Sequence, residues 1–198
     1  MKRRIFENLV LVTPAAIENH FSHYPLDIKK KRGIELLAGC LISRVFEKLD
    51  GYLHEISIPV RERTSRPPTL GELIADPSLH VDEDVDLYLK NDNSSAHPIQ
   101  VTELEKHFLG KDLDEGLFNL IRKKSKRSPD PDLVLAVIAN IEGALKLDRI
   151  VESIEQISCP FCHIFLLAKY QETERFSRFS CHMLYPEFRE SVEIEFNL

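Results

Sequence analysis

Asp86, Gln100 and Thr102 are the residues of this 198-residue chain whose types and spacing point most directly to chemistry. All three carry side-chain oxygen, and hard divalent cations gather oxygen ligands. They can meet only if the segments around them are paired strands. In Val85 to Lys90, apolar residues alternate with Asp86, Tyr88 and Lys90. Ile99-Gln100-Val101-Thr102 alternates in the same way, with Gln100 and Thr102 on one face. Asn91 to Pro98, between them, is rich in turn-forming residues. A hairpin over Val81 to Lys106 therefore brings the three oxygens to a common face.

Other chemical groups are scattered along the chain. Cys159-Pro160-Phe161-Cys162-His163 has the spacing of a haem attachment site. It has no export signal and runs straight into an apolar stretch, so no haem is expected. With Cys181 and His182 it would supply zinc ligands only from alternating faces, so structural cysteines are expected. Seven glycines and no phosphate-cradling loop argue against a nucleotide cofactor. The basic run Arg122 to Arg127, including Lys123 and Lys126, has two readings. It can contact nucleic-acid phosphates, or it can complement the carbonyls at a helix C-terminus. Lys29, Lys30, Lys31 and Arg32 precede a helix, where the dipole disfavours cations, which favours a nucleic-acid contact there.

The elements that must position these groups follow from periodicity. Residues 1 to 53 read as helical, with Thr13 and Pro14 as N-cap and first turn. Ile34, Leu37, Leu41, Val45 and Leu49 recur at helical spacing, and Gly51 is a stop. His54 to Val60 alternates as a strand, Arg61 to Pro68 is a loop, and Leu70 to Ala75 a short helix. After the hairpin, Asp112 caps a helix carrying Leu113, Leu117, Leu120 and Ile121. Leu133 to Ala139 is a strand buried on both faces, and Ala144 to Ile157 is a helix. Strands follow at Cys162 to Ala168, Phe179 to Tyr185 and Val192 to Leu198. The fold class is α/β: a mixed central sheet flanked by helices, spanning residues 33–198 behind a helical N-terminal extension of residues 1–32.

Composition sets outer limits. The hydrophobic share of 43% and charged share of 29% suit a globular protein with a real core. A net charge of -6 excludes a protein that coats nucleic acid by bulk attraction, so local basic patches would have to bind it. No apolar run reaches membrane-spanning length, no export core is evident, and four cysteines suit a reducing compartment. A cytoplasmic protein without a membrane partner is expected.

The Asp86 and Gln100-Val101-Thr102 pair resembles the motif of the restriction-endonuclease-like (PD-(D/E)XK) nucleases. Ile99-Gln100-Val101-Thr102-Glu103-Leu104 is similar to the second strand of an uncharacterised bacterial subset of them. The resemblance covers roughly residues 33 to 168. It implies a metal-dependent nuclease that hydrolyses DNA or RNA with Mg²⁺ or Mn²⁺. Asp86, Gln100 and the Val101 carbonyl would be its metal ligands, and homodimerisation is common in the family. Thr102 stands where a lysine usually orients water, so Lys123 or Lys126 on the next helix takes that role. A first-helix glutamate often points into such sites, which makes Glu35 and Glu47 candidates. The other reading of both is the solvent boundary of an amphipathic helix. The departure at Thr102 also admits a catalytically inactive module that binds nucleic acid or a protein partner.

Overall fold

In the computed structural model of the protein, the described residues are 9–61, 66–81, 85–90, 96–104, 113–126, 131–140, 144–173 and 176–197. Their backbone is mixed α/β. By internal contacts the chain divides into two compact units, residues 1–96 with 197–198, and residues 97–196.

The first unit contains β1 (Leu9–Val12), α1 (Pro14–His23), a 3₁₀ turn at Pro25–Lys29, α2 (Lys31–Asp50), β2 (Glu55–Pro59), α3 (Leu70–Ala75) and β3 (Leu87–Lys90). The strands lie in the order β1-β2-β3, all antiparallel, with Val10 opposite Ile58 and Ile56 opposite Leu89. β1 departs from the helical expectation for residues 1 to 53. The cause is local: the residue before a proline is pushed out of the helical region. Thr13 is extended at φ -87° and ψ 151°, its hydroxyl accepts from the Ala16 N–H, and the helix begins only at Pro14. The apolar run Leu9-Val10-Leu11-Val12 is then available to pair with β2.

α2 organises this unit. Gly51 ends it in the left-handed region at φ 76°, a conformation that costs glycine little. Leu36, Leu37, Leu41, Ile42 and Val45 are buried, and so are Gly33, Ala38, Gly39, Cys40 and Ser43. The helix is thus enclosed well beyond the stripe that periodicity marks. A Cβ on Gly39 would lie 3.1 Å from a Leu87 methyl, so α2 rests directly on β3. A Cβ on Gly33 would collide with the Asp27 carbonyl, which fixes the first turn of α2 against the preceding 3₁₀ turn. Ser43 Oγ donates to the His54 carbonyl at 2.8 Å and accepts from its N–H at 3.1 Å. That exchange ties mid-α2 to the approach to β2.

The second unit contains β4 (His97–Glu103), α4 (Leu113–Ser125), β5 (Val134–Ala139), α5 (Leu147–Glu155), β6 (His163–Glu172), β7 (Phe176–Tyr185) and β8 (Arg189–Asn197). β4, β5 and β6 are parallel neighbours joined through α4 and α5. Such crossovers are the usual route between parallel strands. Every residue of β5 is buried, as its continuous apolar run predicts. α4 and α5 touch each other, and Asp114 Oδ1 accepts from the Lys146 N–H at 2.8 Å at the start of α5. The expected Asp112 cap of α4 lies outside the described residues. β6 outruns its predicted end at Ala168 and continues to Glu172. Its polar end is supported by antiparallel pairing with β7, which in turn neighbours β8.

Candidate active site on the first unit

The first turns of α2 and the residue ahead of β3 bring a cation and two carboxyls together. Arg32 and Glu35 are three residues apart on α2, so they share a face. Both are buried, at 3% and 4% exposure, far below what charged side chains usually show. Arg32 Nη1 lies 2.9 Å from Glu35 Oε2 and donates at 2.9 Å to the backbone carbonyl of Asp86. Asp86 immediately precedes β3 and is half-buried, while the next residue, Leu87, is the one packed on Gly39. The same close contact of α2 at Gly39 with Leu87 therefore sets Asp86 against α2.

Glu35 is hydrogen-bonded to the Asp86 carboxyl. Burial pushes the Glu35 carboxyl up to about 8, and the neighbouring Asp86 charge adds to the shift. Arg32 and Lys31 oppose it without cancelling it. Near neutral pH Glu35 is thus the protonated partner and donates to Asp86, as expected of a buried acid beside another carboxyl. Lys31 Nζ, mostly exposed, stands 3.9 Å from Glu35 Oε1. His80 is held neutral below its usual range, first by burial and then by the charges of Arg32 and Lys31, and its Nε2–H donates to the Leu73 carbonyl at 2.8 Å.

One buried atom of this cluster, Arg32 Nε, has no hydrogen-bond partner, and Glu35 Oε2 has only the ion-pair contact with Arg32 Nη1. Orphaned polar atoms are uncommon in folded interiors and mark places where another group would be stabilised. Two hard oxygens that must hold a proton to tolerate each other suit a small divalent cation, which would replace that proton. Among the described residues, no three His, Cys, Asp or Glu side chains converge as a metal site. The pair offers two carboxyls, and Asp82, Glu83 and Asp84 lie outside the described residues.

The remaining candidates are dispersed. Glu47 lies twelve residues beyond Glu35, about 18 Å along the helix axis. It pairs with Arg44 at 2.7 Å, and Arg44 also holds Glu18. Lys29 is exposed, and Lys30 pairs with Asp27 at 2.8 Å. Of the basic tract, only Arg32 turns inward.

In the second unit, Gln100 is buried on β4 with its Oε1 unpartnered, opposite Leu135 of β5. Val101 and Thr102 are half-buried, Thr102 opposite Val137. Lys123 and Lys126 line an open groove along α4 with Asn119 and Arg122. Arg122 donates to Asn119 Oδ1 at 2.9 Å and stacks over the Phe118 ring. The groove is basic along one helical face, at spacings of three and four residues.

Sequence reasoning passed over Arg32 as a member of the carboxyl site. A signal for it was present. Arg32, Glu35, Gly39 and Ser43 fall on one face of α2, and a stripe of small and polar residues on a helix enclosed all round marks a close, functional contact.

Comparison of the chain with family models, with curated proteins and with solved structures found no match. Among the described residues, no helix is long and apolar enough to cross a membrane.

Proposed function

We propose that this chain is a metal-dependent nuclease of restriction-endonuclease-like fold, hydrolysing phosphodiester bonds in DNA or RNA. Glu35 and Asp86 hold Mg²⁺ or Mn²⁺ in this reading. The observation that carries it is buried Glu35 set beside the half-buried Asp86 carboxyl, with Arg32 2.9 Å from Glu35. When bound, the ion would polarise a water and offset charge on the scissile phosphate. The chain's own part is to present two carboxylate oxygens once Glu35 gives up its proton. Arg32 keeps the Asp86 backbone in place through its carbonyl and adds a fixed positive charge beside the carboxyls. That charge can supply the positive group that the family motif usually takes from a lysine. Within the second unit, Arg122, Lys123 and Lys126 form a basic face that can contact phosphates. The resemblance also assigns ligand roles to Gln100 and Val101, and Gln100→Ala tests them by its Mn²⁺ affinity.

A second reading is favoured by one observation. Arg32 already sets a buried cation 2.9 Å from Glu35, which lowers the attraction of the pair for a metal ion. A chain in which Arg32 permanently replaces the ion would bind nucleic acid or a protein partner without cleaving.

Calorimetry with Mn²⁺ on wild type and Asp86→Ala, run beside a cleavage assay on single- and double-stranded DNA and RNA, separates the two. Specific Mn²⁺ binding and cleavage, both lost in Asp86→Ala, support the nuclease. Nucleic-acid binding without Mn²⁺ affinity supports the second reading. Equal cleavage by both proteins overturns the assignment of Asp86.

A further inference from the structure

We propose that Cys159 and Cys162 form a reversible intramolecular disulfide, making the loop ahead of β6 a dithiol that exchanges with small-molecule disulfides. None of the four cysteines is in a disulfide, and they fall into two kinds. Cys40 and Cys181 are buried, while Cys159 and Cys162 are half-buried on one short connection, Cys159-Pro160-Phe161-Cys162. Two intervening residues are the spacing of dithiols associated with βαβ units, and β4-α4-β5-α5-β6 is such a parallel unit.

The loop is held at several points. Phe161 is buried at 2% exposure and anchors the turn between the two sulfurs, and its N–H donates to the Cys159 sulfur. The Cys162 N–H donates to the Leu133 carbonyl at 3.0 Å, which pins that end to the approach of β5. Cys162 Sγ–H donates to the Asp132 carbonyl at 3.1 Å, and His163 Nδ1 lies 3.4 Å from the same sulfur. An imidazole nitrogen at that distance is placed to take the Cys162 proton when the thiol reacts. Cys162 is accordingly the attacking sulfur. Cys159 is the resolving one, its thiol pushed up by burial. No three metal-ligating side chains converge here among the described residues, so redox chemistry is the reading the cluster supports.

The exchange balances in two steps. The Cys162 thiolate attacks one sulfur of a low-molecular-weight disulfide, whose S–S bond breaks and whose other half leaves as a thiolate. The Cys159 thiolate then attacks the Cys162 sulfur of the mixed disulfide and releases the second half as a thiolate. The chain loses two electrons and two thiol protons, and the small disulfide becomes two thiols.

The test equilibrates the full-length protein in a series of reduced and oxidised glutathione mixtures, alkylates it in denaturant so that the buried Cys40 and Cys181 react too, and reads intact mass and peptide maps. Alkylatable thiols should fall from four to two in a single step, with a peptide linking Cys159 to Cys162. Cys159→Ser should instead trap a glutathione adduct on Cys162, and circular dichroism confirms that this variant is folded. Pairing through other cysteines, disulfide-linked dimers, or the same two-thiol loss in Cys159→Ser overturns the proposal. Stoichiometric metal that protects both thiols in the protein as purified overturns it as well.

Discussion

Glu35 meets the Asp86 carboxyl across the junction of α2 and β3, and burial together with that neighbour pushes it up to about 8, so Glu35 keeps its proton near neutral pH. An acid whose folded pKa lies above its unfolded value makes the folded state bind more protons. Stability then falls as pH rises, because the slope follows the difference in protons bound. The relevant window runs from the ordinary glutamate value of 4.5 to about 8.

Thermal melts across that window should show the midpoint dropping as pH increases. Glu35→Gln keeps the shape and a hydrogen-bond donor but cannot ionise, so its melting temperature should be flat over the same interval. At the alkaline end it should exceed wild type by a few kcal/mol of stability, since each pKa unit corresponds to about 1.4 kcal/mol. A wild-type slope retained in Glu35→Gln would place the responsible proton elsewhere.

Arg32 opposes the upward shift of Glu35, so its removal should push the carboxyl further up. Arg32→Met retains most of the apolar stem but leaves the carbonyl of Asp86 and the carboxyl pair without their donor. With Glu35 protonated, the main loss is the donor to the Asp86 carbonyl, and an acceptor left unsatisfied in this way costs about 1–3 kcal/mol. Denaturant unfolding should register that loss near neutral pH. The pH at which stability declines should also move upward, and Mn²⁺ should bind more tightly because a competing cation has gone. Weaker Mn²⁺ binding in this variant would mean that Arg32 assists the ion.

Gly33 tests the positioning of the same turn without touching a charge. An added methyl meets backbone, the Asp27 carbonyl, which cannot swing aside as a long side chain would. Gly33→Ala should destabilise the first unit by about 1–3 kcal/mol, the usual cost of overpacking, despite alanine's better helix propensity. Stability equal to wild type in urea unfolding would show that the 3₁₀ turn at Pro25–Lys29 yields freely.

The α4 groove makes an electrostatic prediction. If Lys123 and Lys126 contact phosphates, Lys123→Gln with Lys126→Gln should weaken binding to any nucleic-acid sequence about equally. The log–log dependence of affinity on salt should become shallower by about one unit per lysine. An unchanged salt slope would leave these cations to the C-terminal carbonyls of α4.

Much of this architecture was legible in the residues. The Thr13-Pro14 start, the Gly51 stop, the helix at Leu70–Ala75 and the all-apolar β5 each rest on a local rule that tertiary context did not override. Asp86 was legible as a candidate because its neighbours alternate. Glu35 was a candidate only through the family resemblance, because the stripe from Ile34 to Leu49 assigns it to the helix boundary. That argument assumes one buried face. α2 is covered by α1, α3, β2 and β3, so positions that a two-sided helix would expose are interior. Leu9–Val12 was missed for another reason: a four-residue run is too short for periodicity to separate strand from helix. Its strand character follows from the proline two residues on.

β5 has no hairpin partner. Each neighbour, β4 and β6, is parallel to it and reached only through a helix, so no rung of either ladder can close between residues adjacent in sequence. Assembly of the second unit must therefore wait for distant segments to meet, and contacts of that kind slow folding. Residues 97–196 should accordingly refold late, with the apolar span of β5 the longest-lived sticky surface in the nascent chain.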